Sequence, residues 1–327
     1  MKKMFENHCW YIFICFTTFF LFHCNAPRNN PFDPENPETS FAGIKGNVHS
    51  MNVPINPISG VTVYWENDKI YVTTNSNGQF AINNITPAEG LLLFNKIGFM
   101  PETVQVRWDG AKLFNLTQSL NAYPTIDSLN IYTIVKNRYP DIQTSELAIN
   151  TKIQDQDNDI DSVFIVNEDL NFKKDLLYNV NTRMYEGIFT ILDLNVSSMR
   201  KVIGYKLDII VKDKFSHTIK LDGDKAARYI QDEIELISPV NFQEVTPSPT
   251  LTWKEFMPGF NFKYKIEVYV DDIPARIVWE KEGISPDSTN YTIDTQLPES
   301  DYFWMIWCID EFQNRSRAKP ASFTVKE

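Results

Sequence analysis

The chain has 327 residues and a net charge of −11, with 43% hydrophobic and 22% charged residues. At about 100–150 residues per domain this length suggests two or three domains, and the apolar content argues against wholesale disorder. The acidic balance argues against a nucleic-acid partner or an anionic lipid face, both of which need clustered Lys and Arg. A single cysteine beyond residue 24, Cys308, rules out a disulfide framework and a cysteine-ligated zinc site.

Residues 1–23 read as a signal peptide. Lys2 and Lys3 give a positive start, and Trp10 to Phe22 (WYIFICFTTFFLF) is an apolar run. At about 1.5 Å per residue such a run falls short of a ~30 Å hydrocarbon core, so it fits a signal-peptide h-region better than a transmembrane helix. Leu21-Phe22-His23-Cys24 resembles a lipobox, whose cysteine is lipidated before cleavage. His23 stands where lipoboxes carry a small residue. The rival cut, after Ala26, would place Pro27 directly beyond it, and proline there disfavours ordinary cleavage. Lys2, Lys3 and Glu6 leave with the leader, a net +1, so the remainder carries −12.

Residues 24–40 form a tether. Asn25 to Ser40 holds four prolines and four asparagines. Proline fixes φ and donates no ladder hydrogen bond, so this stretch is expected as an extended spacer. Its NPFDPENP segment resembles the tether of lipoproteins from Bacteroidetes-like lineages.

Beyond residue 40, short apolar alternations recur between Gly, Pro, Asn and Asp, and no long stretch has helical period. The expected fold class is all-β, with three consecutive β-sandwich domains at 41–121, 122–232 and 233–327. In the first, Val61, Val63 and Trp65 alternate with Thr62, Tyr64 and Glu66, and Asn77-Gly78 reads as a type I′ turn with positive φ at both residues. Thr74, Gly78, Phe80 and Ile82 stand in a T-x-x-x-G-x-F-x-I pattern, followed by Gly98-Phe99. With these residues the segment resembles the carboxypeptidase regulatory-like domain. That resemblance implies a transthyretin-like, seven-stranded sandwich and no activity of its own.

In the second, Leu147, Ile149, Thr151 and Ile153 alternate with polar neighbours, as do Ile203, Tyr205, Leu207, Ile209 and Val211. Both read as half-buried antiparallel strands. The cadence of D-x-D-x-D-x-D-S-V followed later by V-x-D resembles an immunoglobulin-like surface domain. In the third, LISP (236–239), TLTW (250–253), YKIEVYV (264–270) and YFWMIWCID (302–310) resemble a fibronectin type III-like domain. Tyr302, Trp304, Ile306 and Cys308 fall at inward positions. Trp65 and Trp253 are likewise expected in cores, and Cys308 as a small buried hydrophobe.

Few residues invite chemistry. Asp155, Asp157, Asp159 and Asp161 could converge on a hard cation such as Ca2+. Ile160 and Val166 occupy the places where an EF-hand needs glycine and glutamate, so the alternative is a solvated acidic loop. If extended, the segment would put all four aspartates on one face. His49 and His217 have no flanking ligand pattern, and HExxH, GxSxG, GxxxxGK[ST] and GxGxxG motifs are absent from the sequence. Met305 and Trp307 fall on the phase opposite the core, either covered by a neighbouring domain or forming a binding surface.

These residues point to a non-enzymatic cell-envelope lipoprotein, held at the outer membrane by lipid on Cys24 and acting as a spacer and interaction module. Its expected partners are the membrane, through Cys24, and an envelope protein or a glycan. No cofactor beyond a Ca2+ ion is expected. The alternative is a carbohydrate-binding surface lipoprotein, which an exposed row of aromatics on one sheet would favour.

Overall fold

A computed structural model describes residues 41–51 and 53–326. The leader, Cys24 and the tether lie outside the described residues. The chain is all-β; among the described residues the only helical piece is a four-residue 3-10 turn, Met199–Val202. Among the described residues, those up to 122 and those from 123 onward form two compact units.

In the first unit, strands β1 (Ala42–Ser50), β2 (Thr62–Trp65), β3 (Ile70–Thr73), β4 (Gln79–Ile85), β5 (Gly90–Asn95), β6 (Glu102–Val106) and β7 (Leu113–Leu120) make a two-sheet sandwich. One sheet runs β4-β1-β7 and the other β3-β2-β5-β6. These are the seven strands implied by the resemblance. Val61, Val63 and Trp65 are fully buried and pack with Phe80 and Ile82 of the facing sheet. Burying each large apolar side chain contributes about 1.5–3 kcal/mol.

Two of the motif residues have local reasons to be where they are. Thr74 is buried; its hydroxyl donates to Ile58 O at 2.7 Å and accepts from the Val61 N–H at 2.9 Å, tying the entry of β2 to the exit of β3. Gly78 has φ +72°, and a Cβ there would stand 2.3 Å from Val48 O. The Asn77-Gly78 turn is not type I′, because Gly78 takes positive φ and Asn77 does not. Asn75 explains the difference: its Oδ1 accepts the N–H groups of Asn77 and Gln79, each at 2.9 Å, while its own carbonyl accepts from Gly78. The result is a turn closed by a left-handed glycine.

The second unit begins with β8 (Thr125–Arg138), β9 (Ile142–Gln154), β10 (Ile160–Asn167), β11 (Phe172–Asn179), β12 (Met184–Thr190), β13 (Leu207–Asp213) and β14 (Thr218–Asp224). They follow one another in space as β14-β13-β10-β11-β12-β9-β8. Leu147, Ile149, Ile165 and Ile209 are fully buried in the enclosed core. The strand expected from Ile203 starts only at Leu207. Buried Met199 and Val202 anchor the 3-10 turn, and Gly204 at φ +85° redirects the chain, leaving Tyr205 exposed.

The chain continues through β15 (Leu236–Ser238), β16 (Gln243–Val245), β17 (Thr250–Trp253), β18 (Phe262–Val270), β19 (Arg276–Ile284), β20 (Asn290–Thr292), β21 (Ser300–Asp310), β22 (Arg315–Arg317) and β23 (Ala321–Val325). Sheet β15-β17-β20 faces a sheet containing β19-β18-β21-β23. Trp253, Tyr264 and Trp304 fill the space between them. The Tyr302 hydroxyl donates to Pro298 O four residues upstream, at 2.8 Å, the corner seen at the start of a late strand in immunoglobulin-like sandwiches.

The two halves of this unit share a sheet. β22 pairs antiparallel with β21 and parallel with β8, so the ladder passes from Trp307 through Arg317 to Lys136. Behind the ladder, Asp310 receives a bond from Arg228 at 2.5 Å and accepts the N–H groups of Phe312 and Asn314. Asn314 in turn accepts the Thr133 N–H at 2.9 Å, and Asn137 donates to Arg317 O at 2.9 Å. Thr133, Asn137, Asp310 and Asn314 are all buried. A buried polar network of this kind holds its elements in one arrangement only when its members are satisfied.

Candidate functional site

The acidic loop joins β9 to β10. Asp155 Oδ2 accepts the Asp159 N–H at 2.9 Å, and Asn158, at φ +55°, makes the bend between them. The loop therefore does not run extended, and the four aspartates do not share a face. Asp157 and Asp159 are turned inward, 5% and 2% exposed. Asp161 is turned out: a bulge in the β10–β13 pairing falls between Ile160 and Ser162, and Asp161 bonds the Ser162 hydroxyl and lies 4.0 Å from Lys212 Nζ.

In its place the fold brings Asp213, 3% exposed at the end of β13. Asp213 Oδ1 accepts the N–H groups of Phe215 and His217, and His217 Nδ1 lies 2.7 Å from Oδ2. The sequence signal for Asp213 was the terminal aspartate of V-x-D, but spacing alone gave no reason to join it to a loop some fifty residues away. Lys214 reaches the loop through its N–H, to Asp159 O at 2.8 Å, and through Nζ, to Asn158 O at 3.2 Å. Its ammonium thus meets a carbonyl. Asp155 Oδ1 and Asp159 Oδ2 are buried without a hydrogen-bond partner. Desolvation, and then the neighbouring Asp155, Asp213 and Asp157, push the Asp159 carboxyl up to about 7. Among the described residues, no three His, Cys, Asp or Glu side chains are drawn together closely enough to hold a metal ion as they stand.

Met305 and Trp307 behave differently from one another. Met305 is buried at 4% exposure. Trp307 is half-buried; its indole N–H donates to Glu267 Oε2 at 2.9 Å, and the Arg317 guanidinium lies over its ring at 5.8 Å. On the same face Tyr269 stacks on Phe303 at 5.0 Å, and Arg315 covers Tyr132 at 4.7 Å. The aromatic row exists, but arginines and neighbouring rings engage it. Glu267 is its hub, also accepting the Tyr269 hydroxyl at 3.1 Å and pairing with Lys265 at 3.3 Å. Burial, and then Glu267, push the Tyr269 hydroxyl up to about 12. Cys308 is fully buried, and desolvation, followed by Asp310, pushes its thiol up to about 12, far from a reactive thiolate.

A shallow cavity of about 340 Å³ opens beside the acidic loop, lined by Lys152, Asp155, Asn158, Tyr178, Arg183 and Tyr185 among others. Tyr178 and Tyr185 face each other across the β11–β12 pair, 5.1 Å apart.

No curated protein matches the chain. Among solved structures, the fibronectin(III)-like modules of CbhA from Clostridium thermocellum align at 12% identity and a TM-score of 0.30, over 62% of this chain and 93% of theirs. The FN1–FN3 domains of chicken CNTN1 align at 9% identity and a TM-score of 0.31, over 82% and 91%. BcpA, the major pilin subunit of Bacillus cereus, aligns at 10% identity and a TM-score of 0.26, over 88% and 95%. Residues 44–126 match the family model described as a CarboxypepD_reg-like domain, which places a carboxypeptidase regulatory-like module in the first unit.

Proposed function

We propose that the chain is a lipid-anchored envelope protein, tethered through Cys24, whose sandwiches act without catalysis as a spacer and interaction module. The observation that carries this reading is the shared sheet between β8 and β21. Linked domains move relative to one another by default unless their interface is extensive. Here β22 and the Arg228–Asp310–Asn314 network join two sandwiches into one body, as a spacer that presents distant loops requires. The Tyr302 corner and the three-on-four arrangement support a fibronectin type III-like reading of the last sandwich, and the β8–β14 strands an immunoglobulin-like one. Each buried methylene of an acyl chain contributes about 0.8 kcal/mol of membrane affinity, so two or three chains would hold the protein firmly. Cells fed labelled palmitate are expected to label the wild type and not Cys24→Ala, with the variant leaving the membrane fraction. Equal labelling of the two would sink the anchor.

The cavity beside Tyr178 and Tyr185 favours a second reading, carbohydrate binding at the outer membrane. Its volume lies within the range of small-ligand sites, and its paired rings and polar rim suit a sugar. On a glycan affinity gel the wild type would then be retarded and Tyr178→Ala would not. Equal migration of both with and without glycan removes this reading.

A further inference from the structure

We propose that Asp155, Asp157 and Asp159, backed by Asp213, form a calcium site where the β9–β10 loop meets the end of β13. The site differs from the linear run in the sequence, since Asp161 leaves and Asp213 enters. Its strongest element is Asp159. That side chain is 2% exposed, its Oδ2 has no hydrogen-bond partner, and it lies within electrostatic reach of Asp155, Asp157 and Asp213. Asp155 supplies a second buried oxygen without a partner, Oδ1, while its Oδ2 holds the turn closed.

A buried carboxylate oxygen in an acidic cluster is costly unless a cation or a donor meets it. Of the nearby basic groups, Lys152 pairs with Asp127 and Arg183 lines the cavity beside Asp155. Lys214 Nζ donates to the Asn158 carbonyl, His217 is held on Asp213, and Lys212 leans toward Asp161. Asp155 and Asp159 lie near enough to share a proton, and no three of the carboxylates close on a common point as they stand. A cation would replace that proton and draw the carboxylates together.

The donor set selects the ion. Carboxylates on an irregular turn offer hard oxygen ligands in a flexible geometry, which suits Ca2+ with its six to eight ligands. Mg2+ demands near-octahedral geometry and keeps its water, and Zn2+ prefers nitrogen and sulfur. Asp213 has both oxygens engaged by the Phe215–His217 turn, so it contributes charge and fixes the distance between that turn and the loop.

The test uses the full chain, purified in detergent, stripped with EDTA and then equilibrated with radioactive Ca2+ with or without excess Mg2+. The expected result is one bound Ca2+ per chain, half-saturated at about 10⁻⁵–10⁻³ M, from the weak end of sensor sites through extracellular ones. Mg2+ should compete weakly, and the melting temperature should rise with Ca2+. Asp159→Asn should weaken binding about tenfold or more through loss of ligand charge. In EDTA it should melt no lower than the wild type, because it removes a buried repulsion. Asp161→Asn should bind as the wild type does. Three results would overturn the proposal: no Ca2+ bound at millimolar concentration, unchanged binding by Asp159→Asn, or loss of binding in Asp161→Asn.

Discussion

Asp310→Ala is expected to destabilise the unit spanning residues 123–327 by about 3–5 kcal/mol, the cost of removing one partner of a buried ion pair. Against a total stability of about 5–15 kcal/mol this is a large fraction. The Asp310 side chain is fully buried and does four things at once: it pairs with Arg228, accepts the N–H groups of Phe312 and Asn314, and receives the Asn314 amide. Truncation leaves each of those donors searching for an acceptor. Arg228 is 28% exposed at its side chain and stacks on Phe260 at 4.1 Å, so its charge can partly rehydrate. That places the loss toward the lower end of the range. The more informative consequence is cooperativity. Asn314 carries the bond to Thr133 on β8, and its position depends on Asp310. Without it the link through Thr133 is lost, leaving the three ladder residues of β22, Asn137 on Arg317 O, Arg315 over Tyr132 and the Lys319–Asp141 pair to join the two halves. Urea unfolding of residues 123–327 produced alone, so that Trp65 and Trp108 of the first unit do not report, followed by far-ultraviolet circular dichroism and by tryptophan fluorescence, should therefore give coincident curves for the wild type. The variant should give curves that separate, since the tryptophans of this unit all lie in the last sandwich or on its outer face. Coincident curves in the variant would mean that Asp310 does not couple the two sandwiches.

This seam marks where the sequence stopped being readable. The strands themselves were legible because a period of two, apolar then polar, is imposed by burial on one face. Val61, Val63 and Trp65, and likewise Tyr302, Trp304, Ile306 and Cys308, lie inward as their phase required. Thr74 and Gly78 were legible as a pattern, and the structure supplies the physical reason for each. What pattern cannot reveal is a contact made by polar residues that resemble surface. Thr133, Asn137 and Asn314 sit in ordinary polar positions of their strands and turns, yet all three are buried because β22 slides against β8. The acidic loop failed for a related reason. Spacing treated Asp155 to Asp161 as one line, whereas a single bulge sends Asp161 outward and a distant strand delivers Asp213. Trp307 was read as either covered by another domain or open to a ligand. Its neighbours in the same sheet, Glu267 and Arg317, take up its N–H and its ring instead.

The two tryptophans of β21 should separate in measurement as they do in structure. Trp304 is fully buried, opposite Val268 on one side and Ala321 on the other, and its indole N–H donates to Pro239 O at 2.9 Å. Ala321 is the small residue that leaves room for so large a ring. Trp304→Ala is expected to cost about 3–5 kcal/mol, the usual range for emptying an aromatic site in a packed core. Trp304→Phe keeps a ring but strands the Pro239 carbonyl, so its loss should be nearer the ~1–3 kcal/mol of a buried group left without a partner. Trp307→Ala removes a half-buried ring with a guanidinium over its face, and Glu267 retains Tyr269 and Lys265 as partners. Its cost should fall clearly below that of Trp304→Ala. The inequality is the test, because it isolates phase from residue type: both positions lose an indole from one strand, three residues apart. Denaturant midpoints that fall equally for the two alanine variants would show that the outer face of β21 is as tightly packed as the core, and the unit would then have a second buried surface to account for.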